Sequence, residues 1–172
     1  MVRDFQKERD TLIRKGLKAK SVSVTTKQIN DHIKLIYRDL QRIEKSVHFM
    51  QLHKGTLVVR TKPIILEGNN IGSFWIRFKL NTGSVTVINE RLSDGGDGEP
   101  WFYQHPHITS RGKYVCFGNA KRTYLHFKKD FMFGSMTSVI IILLGSYNEE
   151  NAFCGMDSYL NDVTGGEREE ED

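Results

Sequence analysis

The sequence lacks any long apolar run. The longest, Val139 to Leu144, is closed by a serine and a glycine and falls far short of the roughly 18 residues that cross a bilayer. The chain is charged from Arg3 onward, without the apolar segment of a secretory signal. Cysteine is scarce, since only Cys116 and Cys154 are present. We therefore predict a cytoplasmic protein with two free thiols, and a single bridge between them stays an alternative.

Length and charge limit the remaining classes. A chain of 172 residues with 38% hydrophobic residues predicts one soluble domain with tails. The net charge of +4 hides a basic first third and an acidic end over 167–172. The basic residues fit a solvated helix surface best, and a face for nucleic acid or an acidic protein is the alternative. Because no nucleic-acid-binding signature accompanies the charge, we do not expect a nucleic-acid partner. The lack of a run long enough to cross a bilayer leads us to expect no membrane partner.

The first part of the chain predicts helices. Apolar residues at helical spacing over 2–18 predict a first helix. A capping-box pattern at Thr25 to Gln28 predicts that a second helix begins near residue 26. One face of this helix carries a continuous apolar stripe, and we expect this face to pack on a sheet. The stripe consists of Ile29, Ile33, Ile36, Leu40, Ile43 and Val47.

Strands are predicted next. Residues 49–53 and 56–60 flank a turn at Gly55, and residues 63–66 continue the second strand past a bend. Residues 74–80 show the clearest alternation, and 85–89 follow the turn at Gly83. This order predicts an α+β fold, an antiparallel meander with helices on one face. Residues 136–144 are apolar on all sides, so periodicity alone does not separate a buried helix from a strand.

Reactive side chains are concentrated between residues 105 and 119. Proline at 106 fixes its own φ and favours an extended His105, so the two imidazoles of His105 and His107 leave the chain in defined directions. Gly112 permits a turn that returns Cys116 toward the histidines. Asn119 adds a carboxamide on the other side of the cysteine. If the chain has an active site, we expect it here.

This segment resembles the active-site segment of ubiquitin-conjugating (E2) enzymes and their bacterial and phage-borne relatives. His105-Pro106, the glycine at 112 and Cys116 carry the resemblance. His107 stands where the family has asparagine, Cys116 lies one residue further from the His, and the family's proline-rich element is absent. In element order the resemblance extends over 30–155. There it matches 136–144 to a buried helix and 147–151 to the polar break after it, joined to the cysteine by a long loop over 121–133.

The resemblance implies a function. Cys116 would accept a ubiquitin-like protein as a thioester from an E1-like activating enzyme and pass it to an amine. His107 or Asn119 would assist deprotonation or stabilise the oxyanion, and His105 would match the family's histidine. It also implies a UBC-like domain over 25–163, with an N-terminal helical extension over 1–24 and a disordered acidic tail over 164–172. No cofactor is implied.

Other functions stay open for the same residues. The domain is alternatively a non-catalytic E2-variant or RWD-like module that binds partners within a larger assembly. A zinc site formed by His105, His107, Cys116 and His126 is disfavoured because no zinc-binding spacing is present, so we predict no metal. A cysteine protease is disfavoured because no acid or amide is placed by sequence to orient a histidine. Cys154, in an apolar segment, is expected to be structural.

Overall fold

The computed structural model describes residues 26–92 and 103–164. The predicted helix over 2–18 and residues 165–172 of the predicted tail lie outside these ranges. Thr164, which we assigned to the tail, instead ends the last helix, Met156–Thr164. Within the described ranges, no helix combines the length and the apolar character needed to cross a membrane.

The described elements form an α+β fold, as predicted. Four helices and six strands follow in the order α1 (Thr26–Ile43), β1 (Val47–His53), β2 (Thr56–Thr61), β3 (Ile64–Leu66), β4 (Asn69–Gly72), β5 (Phe74–Lys79), β6 (Ser84–Asn89), α2 (Lys121–Lys129), α3 (Phe133–Leu144) and α4 (Met156–Thr164). Short 3-10 turns lie between several of them, including Gly118–Ala120 and Glu149–Asn151.

The main sheet is an antiparallel meander. Its strand order is β1-β2-β5-β6, so β6 is an edge strand of this sheet. Successive side chains alternate between a buried face and a more exposed one, as in β5, where Phe74, Ile76 and Phe78 are buried. The buried face and the helices enclose one core, in which Phe78 packs against Phe133 of α3. The alternation predicted from the sequence therefore identifies the correct inner face.

Helix α1 begins at Thr26, close to its predicted start. Leu40 and Ile43 of the predicted stripe are buried, and the earlier isoleucines are half-buried. The stripe does not continue to Val47 in the helix, because α1 ends at Ile43 and Val47 opens β1. Val47 continues the helical spacing of the stripe only by coincidence, because it is a buried residue of β1.

Two other expectations were wrong, and one helix was not predicted. Residues 63–66 do not extend β2, because Ile64–Leu66 pairs with Asn69–Gly72 as a separate hairpin inserted between β2 and β5. The segment over 121–133 is not a long loop, since Lys121–Lys129 forms α2. Six of the nine residues of this helix are polar, and only Tyr124 is buried. Helix α4 was not predicted, because its nine residues present only a short apolar pattern.

Helices α1 and α3 are joined by a buried carboxylate. Asp39 of α1 is 1% exposed and accepts hydrogen bonds from the backbone N–H groups of Gly134 and Ser135 at 2.6 and 3.0 Å, and from the Ser135 hydroxyl at 2.5 Å. These N–H groups are donors that the first turn of α3 leaves without intrahelical partners. A negative charge is also favourable at a helix N-terminus. Asp39 therefore caps α3 from a neighbouring helix.

Candidate active site

The segment from His105 to Cys116 folds into a narrow two-stranded turn. Ile108 pairs with Val115 in an isolated antiparallel bridge. The N–H of Cys116 donates to the carbonyl of His107 at 2.8 Å, so these two residues lie opposite each other in the ladder. The structure thus brings the predicted cysteine back to the predicted histidine along the backbone.

Gly112 fixes this turn against the edge of the main sheet. Its carbonyl accepts a hydrogen bond from the N–H of Val87 in β6 at 2.9 Å. Its φ is +64°, and a Cβ at this position would lie 2.2 Å from the carbonyl oxygen of Val87. Only glycine combines that φ with so close an approach, which is why the chain turns here.

His105 is buried, and both of its ring nitrogens form hydrogen bonds with the backbone. Its side chain is 0% exposed, its Nδ1 accepts the N–H of His107 at 3.1 Å, and its Nε2 donates to the carbonyl of Leu144 at 3.2 Å. Nδ1 must be unprotonated to accept that bond, so the ring is neutral with its proton on Nε2. Burial, with a smaller contribution from His107, lowers the pKa of His105 to about 3 although the bond to Leu144 opposes the shift.

His107 is held in the same way by the segment that follows α3. Its Nε2 accepts the N–H of Asn148 at 3.1 Å, and its Nδ1 donates to the carbonyl of Asn151 at 3.2 Å. Its side chain is 5% exposed and lies against the ring of Tyr147. Both nitrogens of both predicted histidines are therefore engaged with the backbone, and the two rings fix the cysteine segment to the end of α3.

Both cysteines are partly exposed residues with free thiols. Within the described residues, no hydrogen bond joins the Cys116 sulfur to either imidazole. Asn119 is exposed in the 3-10 turn that follows. Cys154 packs against the core, and burial together with Asp162 raises the pKa of its thiol to about 11. The Cys154 thiol is therefore almost entirely protonated at neutral pH, which makes it a poor nucleophile.

Sequence reasoning missed the buried polar residues that support the turn. Gln104 is 1% exposed, accepts the N–H of Asn89 and donates to the carbonyl of Ser110, both at 2.8 Å. Asn89 donates to the hydroxyl of Tyr159, which in turn donates to the carbonyl of Gln104 at 3.1 Å. The sequence contains one indication of this network, because Asn89 and Gln104 are amide residues at the ends of apolar segments.

The residues of the disfavoured zinc alternative form no metal-binding cluster within the described part of the chain. Across residues 26–92 and 103–164, no group of three or more His, Cys, Asp or Glu side chains is arranged to hold a metal ion. His126 lies on α2, where its ring contacts Phe127. The described part of the chain therefore contributes no site of the kind that zinc needs.

Comparisons with known proteins leave the site to be interpreted from its own geometry. No protein-family model matches the chain, and no curated protein or solved structure gives a significant match.

Proposed function

We propose that this protein is an E2-like carrier in which Cys116 accepts a ubiquitin-like protein as a thioester and transfers it to an amine. The observation that carries the proposal is the position of Cys116, a partly exposed residue at the end of a turn that two buried imidazoles hold rigidly. A carrier needs a thiol that two successive protein partners can reach. The order helix, meander, His-Pro segment, cysteine and buried helix supports a UBC-like fold within the α+β class.

The chemistry is two successive acyl transfers. The Cys116 thiolate attacks the thioester carbonyl of a modifier carried by an E1-like enzyme, a new C–S bond forms, and the donor thiolate leaves. An amine then attacks the carbonyl of the Cys116 thioester and forms an amide, which releases the Cys116 thiolate. The amine proton passes to solvent or to a base supplied by the partner. This chemistry requires a reduced thiol, which supports a cytoplasmic location.

The neighbouring residues have separate roles in this proposal. His105 and His107 are positioning residues, because a ring nitrogen that already holds a backbone group is not free to take a proton. Asn119, exposed three residues after the cysteine, is the candidate donor to the oxyanion that forms at each transfer. His107, in place of the family's asparagine, then serves to hold the segment after α3.

One observation favours a second function, a non-catalytic module of the same fold. Within the described residues, neither ring has a nitrogen that is free to act as a base, and no hydrogen bond joins the Cys116 sulfur to them. A module that only binds partners needs the rigid turn and not the thiol. The two functions differ in a single measurable property, the ability of Cys116 to carry an acyl group.

A small thioester tests that property without a cognate enzyme. The protein is incubated with the 2-mercaptoethanesulfonate thioester of Gly-Gly, and intact mass is measured. The carrier function predicts one acyl adduct that dithiothreitol and neutral hydroxylamine remove, that Cys116→Ala abolishes and that Cys154→Ala retains. Addition of free lysine should discharge the adduct, and Asn119→Ala should slow that discharge without preventing loading. Absence of an adduct on native Cys116 would contradict the carrier function and leave the binding module.

A further inference from the structure

A groove lies beside the candidate active site. Its volume is about 310 Å³, and it is bounded by the start of β6, residues 113–115 and 117, and α2. Val115 and Phe117, the two neighbours of Cys116 in the chain, form part of its apolar floor with Val85 and Leu125. Leu125 is 45% exposed, so this floor faces solvent.

The rim of the groove is basic. Lys113, Lys121 and Lys128 line it, and none of them forms an ion pair with any residue that the structure describes. The aliphatic part of the Lys128 side chain lies over Gly83, and a Cβ added to this glycine would lie 3.1 Å from the lysine Cε. The glycine thus gives Lys128 room to lie across the turn before β6. The three ammonium groups together favour an anionic ligand.

The edge strand offers a peptide backbone a place to pair. The N–H of Val87 points away from β5, because it donates to Gly112 outside the sheet. Residues two apart in a strand present their N–H and C=O groups to the same side, so those of Val85 also point outward. Among described residues, the backbone bonds between β6 and the cysteine segment stop at Val87. No described residue forms a backbone hydrogen bond with the outward N–H or C=O of Val85, which lines the groove.

A buried hydroxyl in the groove wall also lacks a partner. Tyr124 is 4% exposed, its ring stacks on Phe117 with centroids 4.0 Å apart, and its hydroxyl has no hydrogen-bond partner among the described residues. Burial raises the pKa of this hydroxyl, so it keeps its proton and remains a donor. The hydroxyl oxygen is sealed from solvent, so a ligand in the groove would contact the Tyr124 ring and not this donor.

We propose that this groove binds an extended acidic peptide segment of a partner protein. The segment would add a short strand to the edge of β6 at Val85, with its carboxylates on Lys113, Lys121 and Lys128 and its apolar side chains on the floor. The open backbone groups of Val85 favour a peptide over a nucleic acid, which has no strand to pair. The proposal goes beyond the acyl transfer and does not depend on it, because no step involves the thiol.

A synthetic probe tests the charge requirement. A fluorescein-labelled peptide of alternating Glu and Val is titrated with the full chain and followed by anisotropy, beside a peptide of alternating Lys and Val. The Glu-Val peptide should bind and the Lys-Val peptide should not. Lys121→Glu/Lys128→Glu should weaken binding at least about tenfold, since each change removes an attraction and adds a repulsion. The charge-matched control Lys45→Glu/Lys62→Glu alters exposed lysines elsewhere and should change binding less than about twofold.

A second experiment tests the strand pairing. The backbone amide of Val85 should exchange with solvent deuterium at least about tenfold more slowly when the Glu-Val peptide is bound. A peptide with N-methyl groups at its central residues should lose that protection together with its binding. Equal binding by the Lys121→Glu/Lys128→Glu variant, an unprotected Val85, or tighter binding of an oligothymidylate than of the Glu-Val peptide would each overturn the proposal. None of these outcomes bears on acyl loading of Cys116.

Discussion

Acidification should destabilise the protein through His105 in particular. The folded-state pKa of this histidine is about 3, below the ordinary value of 6.5 that we take for the unfolded chain. Between these values the unfolded chain binds a proton that the folded protein does not, so stability falls as pH falls below 6.5. Each pH unit costs about 1.4 kcal/mol in that range. Between pH 7 and about pH 4.5, His105 should therefore cost roughly 2–3 kcal/mol of unfolding free energy.

Urea unfolding of the wild type and of His105→Asn across this pH range isolates the effect. Asparagine keeps an acceptor near the position of Nδ1 but does not titrate. The variant should be less stable at pH 7, because it loses packing and the bond to Leu144, and the difference between the two proteins should shrink by about 2–3 kcal/mol at pH 4.5. Carboxylates titrate in both proteins and cancel in that difference. His53→Asn, at an exposed position of β1, is the matched control for removal of a histidine outside the core.

Parallel curves for the wild type and His105→Asn would refute this reasoning, because they would mean that His105 binds a proton equally in both states. If His105→Asn does not fold, the imidazole resonances of the native wild type provide the same test. The His105 signal should not shift with pH down to about pH 4.5, whereas a midpoint near 6.5 would contradict the buried neutral ring.

Two further substitutions test the supports of the site. Asp39→Ala should lower the unfolding free energy measured in urea by about 2–4 kcal/mol, because it leaves the buried donors of Gly134 and Ser135 unpaired. The stability of Asp39→Asn should lie between those of Asp39→Ala and the wild type. A loss under about 0.5 kcal/mol in Asp39→Ala would refute the capping role of Asp39. Gly112→Ala should cost about 2–4 kcal/mol through its positive φ and its contact with Val87, whereas an unchanged thermal midpoint would show that the turn relaxes freely.

The sequence predicts the sheet well and its surroundings less well. Alternation in β5 identified the buried face because each side chain there is either inside or outside, and the start of α1 followed from a local capping pattern. Helix α2 was missed because six of its nine residues are polar and only Tyr124 is buried. The hairpin of Ile64–Leu66 was missed because pairing depends on the register with Asn69–Gly72, which local pattern does not encode.

The turn that brings the candidate residues together was predictable from the sequence, and its internal contacts were not. The His-Pro pair, Gly112 and Cys116 do come together in one turn, as the residue types indicated. The partners of the two imidazoles are carbonyl and N–H groups of residues 144, 148 and 151, which any side chain can supply. Backbone partners leave no trace in residue identity, so only the fold reveals that both rings are fully engaged.

The accessibility of the Cys116 thiol is the claim on which the proposed function depends, and alkylation of the native protein measures it most directly. Iodoacetamide is added at pH 8 to Cys154→Ala, which retains only Cys116, and to Cys116→Ala, which retains only Cys154. A thiol with a pKa of about 11 is ionised in roughly one molecule in a thousand at this pH, so Cys154 should react very slowly until the protein unfolds. Cys116 should be alkylated in the folded state, whereas a Cys116 that reacts only on unfolding would contradict the account.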